Sequence, residues 1–303
     1  MFSLTLMFGT PRRLPKAGQV PGRVVVLDIA FAGAAGDRGF EKVTLPFIEG
    51  LGSRLGAWVD HHDHSEHSRF RDDPRFFLAT KAEHGACPEM IDEGLVQRVG
   101  PVDTIVCHTD FDGLASAAKW ILGGREPYPG CDRDASAVDT RLGQPGPIGE
   151  RIDRALRARP RDAGLFGIVV RLLAGELGDS SLWEPIDQAA AELLPIERET
   201  RRAAERYVRV APGVAIADVT SGVGKIDKTL LLLLGQELEP VSVIVDRDSV
   251  SVAARFDSGL NFLELFGLPG GMPTRVSLPR SKMAEVFARL GVSPEVVRSF
   301  SND

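Results

Sequence analysis

Six histidines serve 303 residues, and four of them stand in one short run, WVDHHDHSEH, from Trp58 to His67. Asp60, Asp63 and Glu66 are interleaved with them. The other two are His84 and His108, and His108 opens a second polar run, HTDFDG, with Asp110 and Asp112. A further candidate is Asp28, alone at the end of the apolar run VVVLD. Carboxylates pointing into one space repel and raise one another's pKa unless cations lie between them. Imidazole mixed with carboxylate suits manganese, iron or zinc better than calcium. The alternate residues of HTDFDG cannot all reach one ion, so the spacing favours two ions sharing a bridging carboxylate.

The elements needed to position these groups are readable around them. GRVVVLDIAF (Gly22 to Phe31) reads as a buried strand whose end opens into the glycine- and alanine-rich AGAAGDRG. LGAWVD (Leu55 to Asp60) and VDTIVCH (Val102 to His108) read as two more strands, each ending in the polar runs above. GLASAAKWILGG behind HTDFD reads as a helix stopped by glycines, with Gly113 letting the chain turn sharply into it. AGLFGIVVRLLAGELGD (Ala163 to Asp179) reads as a buried helix. Strands alternating with helices predict an α/β domain over 1–182, with a mainly parallel sheet flanked by helices. In open parallel sheets ligands bind beyond the carboxyl ends of the strands, where these residues would converge.

A charged helical linker is expected over 183–210, and the pattern restarts after APG as a second, smaller α/β domain over 211–303. Its strands are VAIADV, VSVIVD and SVSVAARF, with helical KIDKTLLLLLGQ and PRSKMAEVFARLG and the glycine loop FGLPGGMPTR. A formal charge of −6 argues against an electrostatic footprint on long nucleic acid but leaves room for a small phosphorylated ligand. With 43% hydrophobic and 26% charged residues and no apolar run long enough for a bilayer, the composition is that of a soluble globular protein. The N-terminal apolar stretch precedes the basic one, the reverse of a signal peptide, and three cysteines outside any CxxC pair read as reduced thiols. The cytoplasm is the expected compartment.

VDHH (Val59 to His62) together with CHTDFDGLASA (Cys107 to Ala117) resembles the DHH phosphoesterase superfamily, which includes RecJ-type nucleases, oligoribonucleases, cyclic-dinucleotide phosphodiesterases and family II pyrophosphatases. VVVLDIA resembles its second motif, and AGELGD, a helix running into Asp179, its fourth. VAARFDSGLNFLELFGLPGG resembles, in degenerate form, the associated substrate-binding domain. The resemblance implies two divalent ions, manganese first, with magnesium, iron(II) or cobalt as alternatives. One would be held by His108, Asp110 and Asp28, the other by Asp112, His61 and Asp179, with Asp28 bridging. His62 would face the phosphate and Asp60 would orient the pair. Gly270, Gly271, Arg255 and Arg275 would contact substrate. The implied reaction is two-ion hydrolysis of small phosphodiesters, short oligonucleotides or linear or cyclic dinucleotides. No membrane is involved, and a homodimer is compatible. A phosphoanhydride or phosphomonoester hydrolase and a non-catalytic nucleotide binder are the alternatives.

Two departures accompany the resemblance. The HxDxD-type motif follows the lone Asp and DHH, as in a circularly permuted chain, and Met272 and Pro273 stand where the family's glycine loop carries a histidine. Asp179 is explained nearly as well as the N-cap of the next helix. HDHSEH also has the form of a metallo-β-lactamase motif, but that fold needs histidines downstream, and none follows His108. TSGVGKIDK lacks the first glycine of a phosphate loop and a Ser or Thr after Lys225.

Overall fold

The computed structural model describes residues 4–33 and 39–299, so residues 34–38 of the expected glycine- and alanine-rich loop lie outside the described residues. Two compact units divide the chain. The first comprises residues up to 191 together with 269–271, and the second comprises 192–268 and the residues from 272 onward.

The first unit is built on strands β1 (Thr5–Phe8), β2 (Val24–Leu27), β3 (Leu55–Asp60), β5 (Phe76–Leu78) and β6 (Thr104–Cys107), with a two-residue strand β4 (Asp63–His64) after β3. The five longer ones form one sheet in the order β1-β6-β2-β3-β5, and every pair in it is parallel. The mainly parallel α/β architecture expected from the sequence is therefore present. β2 is fully buried, as a strand covered on both faces must be. Its side chains alternate between two cores. Val25 and Leu27 join Ala57, Val59, Ile105 and Cys107 on one face. Val24 and Val26 join Trp58 and Val106 on the other.

The second face is closed by α1 (Thr44–Leu51), through Phe47, Ile48 and Leu51. The first is closed by α2 (Glu93–Val99), α3 (Phe111–Ile121), α4 (Cys131–Thr140), α5 (Pro147–Ala158), α6 (Ala163–Ala174) and α7 (Trp183–Ala191). α3 is buried along most of its length, because a run of alanines and glycine lets it lie close to the sheet and to α6. α7 packs along α5 in this unit, whereas α8 (Leu193–Ala204) belongs to the second. Cys87, Cys107 and Cys131 are unpaired and buried. Among the described residues no helix is long and apolar enough to cross a membrane.

The second unit carries β7 (Val208–Ala211), β8 (Val214–Asp218), β9 (Val241–Val245), β10 (Ser249–Ala254) and β12 (Arg275–Pro279) in the order β12-β10-β9-β8-β7. Only β8 and β9 run parallel. α9 (Lys228–Gln236) covers one face through Leu231 and Leu232, and α10 (Phe262–Phe266) and α11 (Met283–Arg289) cover the other.

The glycine pair β11 (Gly270–Gly271) is part of the first unit, antiparallel to β4 with Gly270 opposite His64. A Cβ on Gly270 would fall on the His64 ring and 2.5 Å from the Asp63 carbonyl oxygen. Gly270→Ala is therefore expected to destabilise the protein by about 1–3 kcal/mol, the usual range for overpacking. A urea unfolding midpoint equal to that of the wild type would contradict this.

Candidate metal centre

Strand adjacency brings the three polar runs together. β2 lies between β3 and β6, with Leu27 opposite both Val59 and Cys107. The next residues of these neighbouring strands, about 4.8 Å apart in such a sheet, are Asp28, Asp60 and His108. Asp28 takes a left-handed backbone with φ 57°, which is costly for a residue with a Cβ. Its N–H donates to the Val59 carbonyl at 2.9 Å, and the His108 N–H donates to the Leu27 carbonyl at 3.2 Å, so the bend is fixed from both neighbouring strands.

Asp110 caps α3, accepting from the Gly113 N–H at 3.4 Å, and Asp112 lies in the first turn of the helix, buried. Gly113 is needed for a reason other than the sharp turn expected. It lies inside the helix, and a Cβ there would stand 2.7 Å from His108 Cβ and 2.9 Å from its backbone. The missing side chain lets α3 start directly against the His108 strand end.

Three sets of ligand atoms each lie within 4.8 Å of one another: Asp28 with His61 and His62, Asp28 with His108 and Asp110, and His61 with Asp112 and Asp139. His61 Nε2 is 3.2 Å from Asp28 Oδ1 and 3.4 Å from Asp112 Oδ2, and its Nδ1 is 2.9 Å from the His84 carbonyl oxygen. A carbonyl accepts only, so Nδ1 carries the proton and Nε2 points into the cluster. His108 Nδ1 is 2.7 Å from Asp110 Oδ2 and 3.6 Å from Asp28 Oδ2, yet has hydrogen-bond geometry to neither. Both Asp28 carboxylate oxygens are likewise buried without a hydrogen-bond partner. Buried carboxylate oxygens without donors are costly unless a cation meets them. The donor set therefore fits a divalent ion of the manganese, iron or zinc kind.

Asp28, His61, His108, Asp110 and Asp112 all converge. Asp60 accepts a 2.8 Å hydrogen bond from His62 Nδ1. Burial pushes the Asp60 carboxyl up, but attraction to His62, that hydrogen bond, and His61 and His67 hold it below its usual value. Asp179 is elsewhere: it is exposed and caps a short 3-10 turn, accepting from the Ser181 N–H at 3.0 Å. Asp139, at the end of α4, stands in the cluster instead. It has the feature asked of Asp179, a helix running into an aspartate. Lys81, in the turn after β5, was also unmarked by sequence. It is buried, with Nζ 2.9 Å from His61 Nε2 and hydrogen-bonded to Asp139 Oδ2.

His64 and His67 sit to the side, packed edge-on against Phe31. His64 Nδ1 accepts from the Glu66 N–H at 3.1 Å, and burial lowers the pKa of both rings. Gly270 and Gly271 face the histidine segment through β4. Arg255 and Arg275 belong to the second unit. Arg255 forms a bidentate, exposed pair with Asp257, and Arg275 reaches Thr229 Oγ1 at 3.1 Å.

The electrostatics of the cluster are those of crowded carboxylates. Burial, then repulsion by Asp110 and Asp139, raises the pKa of Asp112. Burial and the Lys81 ammonium push His61 down, but contacts with Asp112 and Asp28 outweigh them and raise it to about 11. Burial lowers and Asp110 and Asp28 more than restore His108, which ends well above its usual value.

No family model matches the sequence, and no curated protein matches it. Solved structures do. One is the exonuclease RecJ bound to manganese, at 14% identity and a TM-score of 0.45, covering 88% of this chain and 74% of that one. Another is PggH, a pGpG-specific phosphodiesterase from Vibrio cholerae, at 11% identity and a TM-score of 0.38, covering 90% of this chain and all of the other. This chain is similar to both.

The Lys81–Asp139 pair makes a pH prediction. Burial pushes the Asp139 carboxyl up, but Lys81, His61 and His62 bring it from 3.8 down to about 2. A depressed folded pKa contributes stability that is complete above the unfolded value and lost as pH falls through the folded one. With chelator present, Asp139→Asn is expected to cost about 3 kcal/mol or more at neutral pH, because it leaves a buried ammonium unpaired. The gap to wild type should close as the pH falls from 3.8 towards 2. Guanidinium unfolding at a series of pH values checks this, and a gap independent of pH would contradict it.

Proposed function

We propose that this chain is a divalent-cation-dependent phosphoesterase of the DHH type. The observation that carries the reading is Asp28: a strained, buried aspartate shared by two candidate ligand sets, with neither oxygen hydrogen-bonded. The motifs VDHH and HTDFDG support it from the sequence side. Asp28, His108 and Asp110 would hold a divalent ion, with His61 and Asp112 adjoining. A bound ion of this kind neutralises phosphoryl oxygens and lowers the pKa of a water, which provides a nucleophile near neutral pH. The ion number expected from sequence, two bridged by Asp28, is complicated by Lys81 in the second set.

The protein's own groups take the remaining roles. The hydrogen bond from His62 Nδ1 to Asp60 fixes the ring, so Nε2 is left to donate to a non-bridging phosphate oxygen when the imidazole is protonated. The partly exposed His62 is suited to that contact, whereas fully buried His61 is suited to ion binding. The substrates that fit are small phosphodiesters, short oligonucleotides or dinucleotides. A net charge of −6 argues against a broad electrostatic footprint on longer nucleic acid, and a local cation is enough for one phosphodiester. Manganese is the first ion to test, and the cytoplasm the expected compartment.

The test is Mn2+-dependent hydrolysis of bis(p-nitrophenyl) phosphate beside p-nitrophenyl phosphate, followed by a screen of dinucleotides and short RNA. Turnover of the diester in preference to the monoester is expected. Asp28→Asn should reduce it by about a hundredfold or more and weaken Mn2+ binding at least about tenfold. A folded, Mn2+-loaded protein with no turnover of any phosphodiester would refute the enzymatic reading.

A further inference from the structure

At the His61 end of the cluster the chain supplies a cation of its own. Lys81 leaves the turn after β5 and buries its side chain to 1% exposure among groups that could otherwise hold an ion. Its Nζ is 2.9 Å from His61 Nε2 and bonded to Asp139 Oδ2. His61 and Asp139, with Asp112, are the whole of one of the three candidate ligand sets. Because His61 Nδ1 faces the His84 carbonyl, Nε2 is the nitrogen turned into the cluster, and Lys81 Nζ stands where an ion on that nitrogen would sit. A divalent ion at the same three atoms would have to displace Lys81 or sit against its positive charge.

The set of Asp28, His108 and Asp110 contrasts with this. Asp28 Oδ1 and Oδ2 and His108 Nδ1 are buried and unpartnered, so cation-binding capacity is left there. Lys81 Nζ, by contrast, is bonded to the Asp139 carboxylate with its side chain 1% exposed, so the capacity at that end is already taken.

We propose that Lys81 is a built-in cation standing in the second ion position, so that the chain binds one divalent ion, at Asp28, His108 and Asp110, rather than two. The inference rests on the metal reading of the site and refines it. Lys81 offsets one carboxylate charge permanently but provides no open coordination position. The His61, Asp112 and Asp139 set then serves to hold the lysine, and the single ion alone has room for water or a phosphate oxygen.

The experiment counts ions. Protein loaded with Mn2+ and desalted is analysed for manganese per chain and by electron paramagnetic resonance. Wild type is expected to hold one Mn2+ with the six-line spectrum of an isolated ion. Lys81→Met, one atom shorter, keeps an unbranched apolar stem without the ammonium and should hold two with an exchange-coupled spectrum. Two coupled ions in wild type would overturn the proposal, and that result does not depend on any variant folding. A folded Lys81→Met that still binds one would overturn the claim that the lysine excludes the second. Asp110→Asn should weaken binding of the single ion at least tenfold, while Asp139→Asn should leave it bound. The reverse pattern would place the ion on the lysine's partners and overturn the proposal. No manganese in folded wild type would instead refute the metal reading from which this one starts.

Discussion

The arrangement depends on how negative charge is crowded at one edge of a parallel sheet. Asp28, Asp60 and Asp112 are all but fully buried, and Asp139 nearly so, within reach of the same small space. Each needs a partner, and the partners differ. Asp60 has His62, Asp139 has Lys81, and Asp112 has His61 and the Cys87 N–H at 3.4 Å. Asp28 lies 3.2 Å from the same His61 Nε2, yet neither of its oxygens is hydrogen-bonded, and it is also the residue held in a left-handed backbone. A strained conformation and an unsatisfied buried carboxylate each cost free energy. Finding both on the residue shared by two ligand sets makes Asp28 the point at which an external cation lowers the energy of the fold most.

The surrounding layers keep that charge in place. α3 starts against the His108 strand end because Gly113 has no side chain, and this places Asp112 in the cluster with a buried apolar helix behind it. The β4–β11 pair sets a glycine against His64, so main-chain pairing holds the histidine segment in addition to the contacts of its rings. His64 and His67, the most conspicuous additions to the DHH triplet in the sequence, pack against Phe31 as aromatic spacers. Their pKa values are lowered by burial, so they add little charge to the region beside them.

Legibility in the sequence followed burial. β2, β3 and β6 were readable as β-branched runs because strands covered on both faces carry continuous apolar sequence, and α6 because its buried stripe is long. The residues that end those strands were readable with them. α4 was not, since CDRDASAVDT is polar on average. It is buried through small residues and through Asp134, which accepts hydrogen bonds from Tyr128 and from the Gly146 N–H. Asp139 was hidden with its helix, and Asp179, after a more obvious helix, was read in its place. Lys81 was invisible for a different reason. A lysine in a loop is ordinarily at the surface, and only the three-dimensional proximity of Asp139, Asp112 and His61 gives it a buried role.

Chain order does not decide the geometry of the site. HTDFDG follows DHH by more than forty residues, yet its strand β6 lies between β1 and β2, so the spatial order across the site is β6, β2, β3. That adjacency places His108 beside Asp28 and Asp28 beside Asp60, whichever strand the chain visits first. The necessary condition is directional: the three strands are parallel, so their carboxyl ends share one edge and their polar continuations leave on the same side. An antiparallel β2 would send Asp28 to the opposite edge with every strand otherwise unchanged. Helical crossovers enforce the parallel direction, and so α1, between β2 and β3, and α2, between β5 and β6, contribute to the site without supplying a ligand to it.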